Sequence, residues 1–178
     1  VPDHPELLLY FAQRERDAEA RRKFLDRANA NLNQSSSDIT RAQVLLARVE
    51  NALQLKALDS AEAALAEYGD AFPGAPQSLF LKSLIALERG DVDRARAGLL
   101  RISEGVAAGS PADLFLGSIN LRQANLRQAE AYLNKALRFD STSAAARKLL
   151  AETLLQLNRP QEALEILSDL APTETKDP

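Results

Sequence analysis

The sequence predicts an all-α fold, a helical solenoid of antiparallel helix pairs with about five pairs in 178 residues. Three series of residues carry that prediction. Ala61, Ala95, Ala129 and Ala163 fall 34 residues apart, and Leu65, Leu99, Leu133 and Leu167 follow each alanine by four. Leu53, Leu87, Leu121 and Leu155 keep the same interval eight residues upstream of the alanines. Each repeat reads as helix, turn, helix, so no pair can bury its apolar face alone and neighbours must stack.

Placing the recurrent alanine at the twentieth residue divides a regular array over 38–171 into repeats at 42–75, 76–109, 110–143 and 144–171. Ahead of it, 1–37 reads as a degenerate or capping helix pair, Pro5 to Arg16 and Ala18 to Asn33, with NQSSSD stretching the connection that follows. If Ala20 and Phe24 act there as Ala61 and Leu65 do later, the offset is 41 residues, seven beyond the period.

In the first repeat, Gln54 to Ala57 contains neither Gly nor Pro, and the turn is placed before Asp59 and Ser60. Phe72, Pro73 and Gly74 close its second helix, because proline cannot continue a helix and glycine takes positive φ readily. The second repeat breaks at Gly90 and Asp91, a helix stop followed by an N-cap. In the third, Ser110 precedes Pro111 with Asp113 at the capping-box position, and RQAEAYLNKAL puts Ala129, Leu133, Ala136 and Leu137 on one helix face. The fourth uses Ser141, Thr142 and Ser143 as caps and breaks at Asn158, Arg159 and Pro160. The tail over 172–178 has no apolar periodicity and is expected to fray.

Composition narrows the function. Hydrophobic residues make up 46%, charged residues 26% and aromatics 5%, the signature of aliphatic helix stacking rather than of disorder. A net charge of −3 argues against a nucleic-acid partner, which calls for a surplus of Lys and Arg. Without cysteine there is no disulfide, thiolate metal site or Cys nucleophile, a condition that suits a reducing cytosol and a periplasm alike. No apolar run approaches the roughly 20 residues needed to span a bilayer, so direct membrane insertion is not expected. The N-terminus lacks the basic and apolar regions of a signal peptide. The chain starts at Val1 and has no methionine, so it is read as an excised or processed piece, and any targeting signal is expected to lie outside it.

Chemistry has little to stand on. His4 is the one histidine and sits near a terminus, which disfavours a metal site or a histidine base. There is no Walker A sequence, dinucleotide fingerprint or nucleophile elbow. Pairs such as Glu62 with Glu67 and Glu162 with Glu165 read as solvated helix surface, and the Arg-rich stretch from Arg14 to Arg27 as a salt-bridge-laced helix. No enzyme activity, cofactor or metal is expected.

These residues resemble the tetratricopeptide repeat family. Ala fills position 20 in all four units, Leu116 and Gly117 supply the Leu-Gly pair of positions 7 and 8, Ala136 fills position 27 and Pro73 position 32. Position 24 is uniformly Leu, and Asp113, Arg147 and Asn120 depart from the pattern at positions 4 and 11. Small residues at position 8, namely Ser83, Gly117 and Ala151, let the two helices of a pair approach. More narrowly, DITRAQVLLARVENAL, SLFLKSLIALERGDVDRARAGLL and AAARKLLAETLLQLNRPQEALEIL are similar to PEP-CTERM system tetratricopeptide lipoproteins of Gram-negative bacteria. That resemblance implies a periplasmic or envelope location, through a lipid anchor outside this chain, and a link to exopolysaccharide or protein sorting. The residues themselves leave the cytoplasm open.

The family resemblance further implies a superhelix whose concave face is lined by the first helix of each pair. Carried onto this sequence, the partner-binding residues are Phe80, Leu84, Glu88, Leu114, Ser118, Arg122, Lys148, Glu152 and Gln156, with Gln43, Leu46, Glu50 and Gln54 at the equivalent places of the first repeat. Phe80, Leu84 and Leu114 form the apolar centre. The chaperone-type carboxylate clamp is absent, since Lys148 is the only basic residue at its lysine position and its asparagine positions hold Glu50, Leu84, Ser118 and Glu152. The expectation is a non-enzymatic scaffold that binds protein or peptide segments through apolar anchors and a polar rim. Two alternatives stay open. One is a self-associating array, a homo-oligomer stacked through the uncapped last helix, Pro160 to Leu170; the other is a regulatory segment of a larger enzyme or secretion protein.

Overall fold

The computed structural model describes residues 3–105 and 109–168, and among these it holds ten α-helices and no strand. They are α1 (Pro5–Arg14), α2 (Ala18–Ala30), α3 (Asp38–Gln54), α4 (Leu58–Ala71), α5 (Pro76–Glu88), α6 (Val92–Glu104), α7 (Pro111–Arg122), α8 (Leu126–Phe139), α9 (Ala144–Gln156) and α10 (Pro160–Ser168). The 172–178 tail, and the end of the last helix beyond Ser168, lie outside the described residues.

Helix starts follow local chemistry. Asp17 accepts from the Ala20 amide at 2.7 Å, Ser37 from Thr40 at 3.1 Å, Asp91 from Arg94 at 3.1 Å and Ser143 from Ala146 at 3.3 Å. Each side chain satisfies an amide that the first helical turn leaves without a partner. Pro5, Pro76, Pro111 and Pro160 each open a helix, where a missing N–H costs nothing.

The turns inside the repeats keep the 34-residue period in their backbone. Lys56, Gly90, Ala124 and Asn158 all have positive φ, at 57°, 84°, 57° and 60°. At each turn the next amide reaches back five residues: Ala57 to the Ala52 carbonyl, Asp91 to Ala86, Asn125 to Asn120 and Arg159 to Leu154, all at 2.9 Å. The positive-φ residue itself donates to the leucine of the upstream series, Leu53, Leu87, Leu121 or Leu155, at 3.0 Å. This is a Schellman closure in every repeat, satisfying carbonyls the helix end would otherwise strand. In the first repeat the turn is centred on Lys56 and α4 starts at Leu58, so the turn falls before Asp59 and Ser60 as expected.

The chain forms two compact units, Val1–Ala95 and Arg96–Pro178. In the first, α1 packs on α2, α3 on α4, α2 on α3, and α4 on α5. Its core is built from two clusters, Leu8, Leu9, Ala12, Leu25, Ala28 and Val44 in one, and Leu45, Val49, Ala61, Leu65, Tyr68, Leu81 and Ile85 among the other. In the α1–α2 pair the buried positions are not the expected ones. Leu25 and Ala28 are buried, whereas Ala20 and Phe24 are half-buried, because the N-cap at Asp17 sets α2 so that residues 25 and 28 face α1 and α3. Helices α1 and α2 also end at Arg14 and Ala30, short of the Arg16 and Asn33 expected.

In the second unit α7 packs on α8, α9 on α10, and α8 on α9. Its core joins Leu121, Ala129, Leu133, Leu150, Ala151, Leu154 and Ala163. The alanine series is buried throughout: Ala61, Ala95 and Ala129 expose nothing and Ala163 exposes 2%. Gly117 shows why the position-8 residues are small. A Cβ there would meet Leu133 Cγ at 2.6 Å and Cδ2 at 2.7 Å, inside any real carbon contact.

Candidate partner-binding face

Of the sequence-derived site residues, Phe80, Leu84, Leu114 and Ser118 are half-buried, and Glu88, Arg122, Lys148, Glu152 and Gln156 are exposed. None is in the fully buried core. In the first unit, α5 carries Phe80, Leu84 and Glu88 at helical spacing on one face, and Glu88 is bonded to Lys56 Nζ. In the second, α7 carries Leu114, Ser118 and Arg122, and α9 carries Lys148, Glu152 and Gln156. Leu114 packs partly against the α7–α10 core while keeping surface open, so it anchors without being lost to the interior.

Between α1, α2 and α3 lies a cleft of about 360 Å³ whose walls include Glu50 and Gln54, two of the first-repeat positions inferred for the concave face. Its floor is Leu9, Ala12, Leu25 and Ala47. Arg21 closes one side, donating through Nη1 to Gln54 Oε1 at 2.6 Å and through Nη2 to the Glu15 carbonyl at 2.6 Å. A slot with an apolar floor and a polar rim suits an apolar side chain set on a polar backbone.

Sequence reasoning missed a buried polar cluster in the second unit. Asp113 is fully buried; its Oδ2 accepts from the Ser110 amide at 2.7 Å, its half of the expected capping box, and its Oδ1 accepts from Ser103 Oγ at 2.5 Å. Lys135 Nζ donates to the Ser103 carbonyl at 3.1 Å and to Ser103 Oγ at 2.9 Å, and lies 3.6 Å from Asp113 Oδ1. Although Ser beside Lys suggests a nucleophile and its base, Ser103 is 3% exposed and its hydroxyl is committed to a carboxylate. The cluster joins the end of α6 to α7 and α8 and acts as a structural lock. The other departures from the repeat pattern are also satisfied: Asn120 Nδ2 donates to the Leu116 carbonyl at 2.8 Å, and Arg147 to the carbonyls of Ser141 and Ile166. The available signal was the polar residue itself at position 4 or 11.

Polar bonds also tie successive repeats. Arg89 Nε donates to Glu62 Oε1 at 2.9 Å and its Nη2 to Asp59 Oδ1 at 2.6 Å, while Arg159 Nη1 donates to Glu130 Oε1 at 2.6 Å and its Nη2 to Glu162 Oε2 at 2.5 Å. Hydrogen bonds donated to these carboxylates raise the pKa of both arginines, and the bond from Arg159 lowers that of Glu162. Arg22 pairs with Glu19 and Arg27 with Asp3, so those members of the Arg-rich stretch are held in ion pairs. His4 is exposed, and among the described residues no three of His, Asp and Glu converge as metal ligands. No described helix is long and apolar enough to cross a membrane.

Paired helices on a 34-residue period, with alanine where they cross and a Schellman turn inside each repeat, define a tetratricopeptide-type array. Two family models, each described as tetratricopeptide repeat, match residues 41–111 and 120–178, and the chain carries tetratricopeptide repeats over both segments. Among solved structures it is similar to MamA 41-end from Desulfovibrio magneticus RS-1, at 15% identity and TM-score 0.60, over 93% of this chain and 92% of that one. It is similar also to MamA AMB-1, at 16% identity and TM-score 0.56, over 95% and 92%. A third is PilW, described as a widely conserved type IV pilus biogenesis factor, at 16% identity and TM-score 0.53, over 97% and 94%. These likenesses are of fold. No curated protein matches the chain.

Proposed function

We propose that the chain is a non-enzymatic scaffold that binds protein or peptide segments on the first helix of each pair, within a bacterial cell-envelope assembly linked to exopolysaccharide or protein sorting. One observation carries the binding reading: the recurrent alanines are consumed by packing, while Phe80, Leu84 and Leu114 keep open surface beside exposed charged residues. Apolar anchors supply affinity and the rim of Arg122, Lys148 and Glu152 sets orientation. The envelope setting is supported by the resemblance to PEP-CTERM lipoproteins and by the fold shared with a pilus biogenesis factor.

Capture of partners from envelope extract by the immobilised chain tests both parts. Phe80→Asp is expected to lower capture about tenfold or more. Lys148→Glu, on an exposed side chain, should weaken it less and leave the melting temperature unchanged. If both variants retain the same proteins at wild-type levels, the surface assignment fails.

A further inference from the structure

Asn51, on α3, is 2% exposed, and its carboxamide is only half used. Nδ2 donates to the Ala18 carbonyl at 3.1 Å, which fixes the orientation of the amide, and Oδ1 is buried with no hydrogen-bond partner among the described residues. Buried acceptors are nearly always satisfied, because a bare one has given up its hydration for nothing. Asn51 lines the cleft of about 360 Å³ between α1, α2 and α3, whose floor is Leu9, Ala12, Leu25 and Ala47.

Two more groups of that cleft have unspent capacity. Arg21 donates from Nε and Nη2 to the Glu15 carbonyl and from Nη1 to Gln54 Oε1. Gln54 is exposed, and among the described residues its side chain has no other bond, so it can swing away and free Nη1. Glu50 is exposed at the same cleft, and its carboxylate has neither ion pair nor hydrogen bond among the described residues. By contrast Asp26, Asp59, Glu62, Glu67 and Glu88 of the same unit are all paired with Arg or Lys. An extended peptide supplies what is missing. One peptide unit brings an N–H for Asn51 Oδ1 and a carbonyl that replaces Gln54 on Arg21. An apolar side chain covers the floor, and a basic neighbour meets Glu50, whereas an acidic segment would set like charges together.

We propose that the α1–α3 cleft is a second docking site, taking an extended segment of a partner protein that carries an apolar residue close to a basic one. Asn51 and Arg21 hold its backbone and Glu50 selects its charge. This rests on the chain being a binder of protein segments, but no residue lining the cleft lies on α5, α7 or α9, so the two surfaces fail separately. Random peptides of about a dozen residues, displayed on phage and selected on the immobilised chain, are the probe. Enriched sequences are expected to place Lys or Arg within two residues of Leu, Ile or Phe. A synthetic peptide of that consensus should bind about tenfold more weakly to Asn51→Leu and to Glu50→Lys, and more tightly to Gln54→Ala, with helical circular dichroism unchanged. Selection on the Glu50→Lys chain should enrich acidic residues in place of basic ones. Phe80→Asp should leave this peptide bound, whether or not it lowers capture of envelope proteins. No enrichment over a chain-free control, a selected charge that does not reverse with Glu50→Lys, full binding by Asn51→Leu, or loss of binding with Phe80→Asp overturns the proposal.

Discussion

Helix pairs α7–α8 and α9–α10 are written on one pattern yet live in different surroundings. Leu133 and Leu167 occupy the same repeat position; the first exposes nothing and the second 36%. Glu130 receives Arg159 from the next repeat, whereas Leu164 at the matching place faces water. The α7–α8 pair is covered by α9, and its polar interior at Asp113 is locked from three elements. In an array, then, the worth of a residue depends on its neighbour as much as on its identity.

Substitution at the paired leucines should break this equivalence most sharply. Leu133→Ala is expected to cost about 2–5 kcal/mol, since a fully buried leucine leaves a cavity behind. Leu167→Ala should cost under about 1 kcal/mol. Urea unfolding of the two variants decides it, and equal losses would refute the contrast.

Gly117→Ala comes next, at about 1–3 kcal/mol from overpacking against Leu133, despite the better helix propensity of alanine. Combining it with Leu133→Ala should cost less than the sum, because the second change removes the atoms the new methyl strikes. Strict additivity in thermal melts would mean that the contact is not the cause.

The smallest effect concerns the turns. Ala124→Gly should stabilise by about 0.5–1 kcal/mol, the left-handed strain relieved exceeding the extra entropy glycine loses. Asn158→Gly, at the same point of the last repeat, should change little because asparagine tolerates that conformation. Melting temperatures of the two variants measure the difference.

Much of this fold was legible in the residues. The period, the helix pairs, the caps at Ser143 and Asp91, and the tight crossing at Gly117 follow from spacing and side-chain size. The left-handed turns at Lys56 and Ala124 were hidden, since neither residue announces positive φ as Gly90 does. The Asp113 cluster was hidden for another reason: its partners Ser103 and Lys135 come from helices on either side and carry no mark in the sequence. For the candidate site, helical spacing places residues 80, 84 and 88 on one face, but their degree of burial is not written in that spacing.

Periodicity and local chemistry therefore suffice for repeat length, for the helix pairs and for the approximate place of each turn, because these depend on neighbours within one or two turns of chain. Burial does not follow from them. Whether a repeated leucine is core or surface, and whether a charged side chain finds a partner, is settled by what the next helix places against it. That is why the same pattern yields a sealed pair at α7–α8 and an open apolar face at α9–α10.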